Sequence, residues 1–92
     1  MSRNEVGMLA MSMSGHDRGQ IYVIMREDGE HVYLSDGKRR PVERCKKKNR
    51  RHIQIIRHQE PEMAQKLSAG ETVRNEEIKR VIRLYSQTHR SE

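Results

Sequence analysis

The sequence has no Trp and no Phe, and its only aromatic residues are Tyr22, Tyr33 and Tyr85. Just 33% of its 92 residues are hydrophobic, so aliphatic side chains and six Met must fill whatever core forms. A chain this short has room for one domain and an appendage, with a stability on the order of a few kcal/mol. So little apolar material does not build a deep cleft, which argues against a small-molecule substrate. The single cysteine, Cys45, cannot form an internal disulfide, and this fits a cytoplasmic location. No apolar run approaches the roughly 20 residues that span a bilayer, and no charged-then-apolar leader opens the chain. A membrane partner is therefore not expected. His16, His31, His52, His58 and His89 are scattered, and one cysteine cannot complete a Cys/His zinc set. No nucleophile elbow or phosphate-loop signature occurs either, so neither enzymatic activity nor a cofactor is expected.

What the chain does have is positive charge. Nineteen Lys and Arg face thirteen Asp and Glu, a formal net charge of +6. Such an excess concentrates polyanions around the protein whatever its fold. The charge is densest at Lys46, Lys47, Lys48, Arg50 and Arg51, with Lys38, Arg39, Arg40 and Arg44 just upstream. Only Glu43 interrupts this stretch. A run of this kind binds phosphates by charge and counterion release, giving affinity with little sequence information. A solvated run kept for solubility is the plainer alternative.

Turn signals divide the first two thirds of the chain. Residues 6–14 form an uncapped, mostly apolar run, followed by the loop 14–19 with Gly15 and Gly19. Residues 20–25 are rich in β-branched side chains and read as a second strand. Asp28-Gly29 and Asp36-Gly37 are hairpin dipeptides, and between them His31–Ser35 alternates as a half-buried strand should. A short strand at 39–43 is expected, confined to an edge by Pro41. The basic stretch 46–51 reads as a connection, and 52–56 supplies a fifth strand. Five short strands so closely spaced point to a mainly β protein built on a small barrel over residues 5–57.

From residue 58 the pattern changes to a helical C-terminal extension, 58–92. Pro61 suits the first turn of a short helix that Gly70 stops. A second helix begins at Asn75 as cap, with Glu76 and Glu77 at the positive end of its dipole. Ile78, Val81, Ile82 and Tyr85 make one apolar stripe that would pack on the barrel. Both chain ends, through Glu5 and from Ser86, are expected to fray.

The run V-G-M-L-A-M-S-M-S-G-H-D-R-G-Q-I-Y-V-I, with Gly7, Gly15 and Gly19, resembles the KOW motif, a strand–loop–strand unit with a required glycine. Continuing through V-Y-L-S-D-G-K, the chain resembles the KOW-domain RNA-binding proteins of bacteria. It is also similar to a eukaryotic and archaeal ribosomal protein family of the large subunit. Lys46-Lys47-Lys48-Asn49 followed by His52, and the tail from Gly70 to Ile78, are similar to the bacterial group. The resemblance implies a five-stranded SH3-like barrel and association with RNA, ribosomal RNA first, or with the large ribosomal subunit in translation. It also makes the 14–19 loop an RNA-facing element. The expected contacts are Lys46, Lys47, Lys48, Asn49, Arg50, Arg51, His52, Lys38, Arg39, Arg40, His16, Arg18 and Gly19. The rival is a protein-interaction module in which barrel and tail helix dock on a transcription or translation factor.

Overall fold

The second strand is apolar on both of its faces, and that pattern can be satisfied only if both sides are covered. In the computed structural model, which describes residues 5–88, this is what the chain achieves. Strands β1 (Met8–Ser12), β2 (Ile21–Asp28), β3 (His31–Ser35), β4 (Lys46–Asn49) and β5 (Ile53–Gln59) form one antiparallel sheet in the order β4-β3-β2-β1-β5. Two helices follow, α1 (Pro61–Ser68) and α2 (Asn75–Thr88). On one face Tyr22 and Ile24 are buried with Ala10, Val32 and Leu34, and Met8, Ile53 and Ile55 pack around them. On the other, Leu9 and Val23 are buried with Met63, Val73, Ile78 and Val81, so the helices share this core with the sheet.

The β1–β5 register shifts between Met8 and Leu9, where β5 carries the additional residues Arg57 and His58, and the β2–β3 register shifts between Ile24 and Arg26, where β2 carries Met25. An extra residue at such a place bends and twists its strand. Among the described residues no ladder joins β4 to β5, so these two are the sheet's edges.

Several elements differ from the sequence expectation. Residues 39–43 are not a strand; the chain bends and then makes a 3₁₀ turn at Val42–Arg44. The N–H groups a strand would pair are already taken. Asp36 accepts the backbone N–H of Lys38 and Arg40, each at 2.9 Å, Pro41 has none, and Val42 donates to Asn75 Oδ1 at 2.8 Å. The fourth strand is instead the basic stretch itself, whose Tyr33↔Lys47 and Leu34↔Lys46 pairings fix it to β3. Strand β2 runs on to Asp28, leaving Gly29-Glu30 as a two-residue turn with positive φ at Gly29. Asn75 does not cap α2, since its side chain holds Val42; Glu77 reaches back to the N–H of Arg74 at 3.1 Å. Glu5, expected to fray, is 5% exposed. His89 lies outside the described residues, as do the last positions of the expected frayed tail.

Both helices approach the sheet where a glycine stands. A Cβ on Gly7 would sit 2.8 Å from Ala64 Cβ in α1, and one on Gly37 would sit 2.6 Å from the carbonyl oxygen of Asn75. Both glycines also have positive φ, which other residues adopt only with strain. Gly29 shares the positive φ but has nothing within 4 Å. Gly37→Ala should therefore destabilise the fold by about 2–4 kcal/mol, and Gly29→Ala by only about 1–2 kcal/mol. Chemical denaturation measures both; equal losses would contradict the close docking of α2.

Candidate functional site

Loop 14–19 is organised around one carboxylate. Asp17 Oδ1 accepts from Ser12 Oγ at 2.8 Å and Oδ2 from the Tyr22 hydroxyl at 2.7 Å. The ammonium of Lys46 lies 3.1 Å from Oδ2 and that of Lys48 3.3 Å from Oδ1. Lys48 also donates to the carbonyl of Ser14 at 3.1 Å. Burial alone would raise the pKa of Asp17. The hydrogen bonds from Tyr22, Ser12 and the two lysines outweigh it and hold the carboxyl well below the usual carboxylate range. Tyr22 shows the counterpart: burial, then its bond to Asp17, pushes the phenol well above its ordinary value.

The strand period explains how two lysines reach one acid. Lys46 and Lys48 are two residues apart on β4 and point to the same side, while Lys47 between them is exposed on the other. Their stems lie opposite Leu34 and Val32, and their amines extend past the apolar core to the loop.

A second network occupies Arg50. Its guanidinium bonds Glu5 and, at 2.7 Å, Glu27, while the N–H of Glu5 donates to Glu27 at 2.6 Å. Burial works against the guanidinium's charge, but the bonds to Glu27 and Glu5 prevail and push its pKa up. Asn49 accepts the N–H of Arg51 at 2.9 Å and so shapes the 3₁₀ turn Arg50–His52.

The expected contact residues thus divide. Lys46, Lys48 and Arg50 are half-buried and ion-paired inside the protein, and Asn49 holds a turn. His16, Arg18, Lys38, Arg39, Arg40, Lys47, Arg51 and His52 are exposed, and none has an ion-pair partner among the described residues. Gly19 is exposed, and its N–H donates to Ser12 at 2.8 Å. Three connections meet at the loop. The N–H of Met13 donates to His52 at 2.8 Å, which brings Arg51 and His52 to one flank. Gly19 and Lys38 line one groove on the other flank, and the charge of Arg40 acts on Tyr22.

None of the three tyrosines offers a bare ring. Tyr22 is buried, the Arg26 guanidinium lies 4.1 Å over Tyr33, and Tyr85 stands against His58 with ring centres 5.2 Å apart. Among the described residues no three His, Cys, Asp or Glu are placed to hold a metal ion, and no helix is long and apolar enough to cross a membrane. A search against protein-family profiles finds no match, and no curated protein matches either.

Asp17 and Glu5 are the structural residues that sequence reading passed over. Lysines at i and i+2 on a strand share one side, a local signal that a single acid could meet both. Glu5, Glu27 and Arg50 are far apart in the chain and leave no such signal.

The depressed pKa of Asp17 sets an acid limit on stability. The folded carboxyl stays ionised while the unfolded one takes up a proton near its ordinary value of about 3.9. Its contribution is complete above that value and is lost as pH falls further toward the folded pKa. Asp17→Asn should cost about 1–3 kcal/mol at pH 7 and flatten the decline below pH ~4. Denaturant titrations across pH measure this; an unchanged acid slope in the variant would overturn the role of Asp17.

Proposed function

We propose that this protein binds RNA through phosphate contacts, as a KOW-type module with an SH3-like barrel, working in the cytoplasm on ribosomal RNA or the ribosome. The observation that carries the reading is the convergence of unpaired cations on one anchored loop. Arg18 and His16 lie on that loop, Lys38, Arg39 and Arg40 on one flank, and Arg51 and His52 on the other. The acids that might have neutralised them are engaged elsewhere: Asp17 with Lys46 and Lys48, Glu5 and Glu27 with Arg50. Free cations on a pre-ordered surface release counterions when a phosphate chain binds, and ordering the loop beforehand lowers the entropy lost on binding.

Support for the barrel comes from the strand order β5-β1-β2-β3-β4, the bulges in β5 and β2, and the 3₁₀ turn between β4 and β5. The occupied tyrosines favour structured RNA met through its backbone over single strands, which are gripped by stacking on open aromatic faces. Docking on a protein factor has less to stand on. The large hydrophobic side chains most exposed among the described residues are Met13 and Leu84, one beside β1 and one on α2. Two separate residues do not make the apolar centre of a protein interface.

Equilibrium binding of a structured RNA over a salt series tests the reading. Affinity should fall linearly on a log–log plot, and Arg18→Gln, Arg40→Gln and Arg51→Gln should each lower the slope by about one unit. Lys48→Gln should act chiefly through lost stability. Binding that ignores salt, or slopes unmoved by all three exposed substitutions, would contradict it.

A further inference from the structure

The basic surface extends onto the second helix. Alongside α2 runs an open groove of about 880 Å³, bounded by Gly19, Gln20 and Ile21 at the end of the loop and by Asp36 and Lys38 in the β3 turn. The helix contributes Glu76, Lys79, Arg80, Ile82, Arg83 and Ser86. Four cations therefore face two carboxylates along it (4 − 2 = +2). One of those carboxylates, Asp36, is turned into its own loop, where Oδ1 accepts two backbone N–H groups. Lys38, Lys79, Arg80 and Arg83 have no ion-pair partner among the described residues.

We infer that this groove seats a stretch of RNA phosphodiester backbone, continuing the path from the 14–19 loop along α2. The inference rests on the RNA-binding reading and names where the chain runs. Arg83 stands four positions after Lys79 and three after Arg80, so its Cβ lies about 5–6 Å from each of theirs and the three cations form one cluster on the helix. With Lys38 across the groove this cluster makes four cations, which match a repeating polyanion, whereas a single anion would use only part of them. The helix is held in place by Ile78 and Val81 in the core and by Gly37 against its first turn, so the backbone that carries these cations is fixed. A fixed helix lowers the ordering cost of binding. Gly19 adds no side chain at the groove's mouth, which leaves the main chain open to close approach.

The test uses the full chain and one structured RNA hairpin over a salt series. It compares the wild type with Lys79→Gln/Arg80→Gln/Arg83→Gln and with Arg18→Gln/Arg51→Gln. The helix variant should keep its circular dichroism and melting temperature, yet lose about two to three units of log–log slope. If the triple variant unfolds, Arg80→Gln/Arg83→Gln, which changes only exposed side chains, should still lose about two units. A wild type without salt-dependent RNA binding overturns both readings. A wild type that binds, with a slope lowered by the Arg18/Arg51 change and untouched by the helix changes, overturns the groove alone. Poly-glutamate binding as tightly as RNA, and through the same helix residues, would also overturn it and assign the groove to an acidic protein partner.

Discussion

One half-buried carboxylate organises the basic face of this protein. Asp17 takes hydrogen bonds from β1 through Ser12, from β2 through Tyr22, and ion pairs from β4 through Lys46 and Lys48. It therefore ties a surface loop to three of the five strands. Without it, two lysine amines would be left half-desolvated beside the apolar core, and the loop would lose its only ionic tie to β4 among the described residues. With it, the loop is fixed before any ligand arrives. The cations that remain free are those the interior does not need, and they lie on the connections that this loop brings together.

The same division of labour runs through the rest of the fold. Arg50, in the middle of the most basic stretch, is consumed by Glu5 and Glu27 and joins the start of the chain to β2 and the β4–β5 turn. Leu9 and Val23 need the helices as cover, and Gly7 and Gly37 allow them to come close. The region after residue 57 is thus part of the core, and α2 presents its remaining cations beside the loop.

Periodicity made much of this legible. His31–Ser35, Pro61–Ser68 and the start of α2 at Asn75 follow directly from alternation, Pro at a helix start and the Ile78/Val81 stripe. The errors came where charge concealed structure. Four consecutive polar residues at 46–49 read as a connection because sequence shows the ammonium groups and not the stems that pack along a strand. At 39–43 a β-like composition lost to side-chain acceptors, Asp36 and Asn75, which took the backbone donors. Which cations are free could not be read locally, since it depends on acids up to 45 residues away.

The central proposal built on the free cations around the anchored loop is that the protein binds RNA, that of the ribosome first. Sedimentation of cell lysate through a density gradient, with and without ribonuclease and at low and high salt, tests it. RNA binding predicts that the protein travels with the large ribosomal subunit at low salt, and returns to the top of the gradient after ribonuclease or at high salt. Co-migration that survives both treatments would contradict it and point to a protein partner, and a protein that stays at the top in every condition would remove the ribosome as its target.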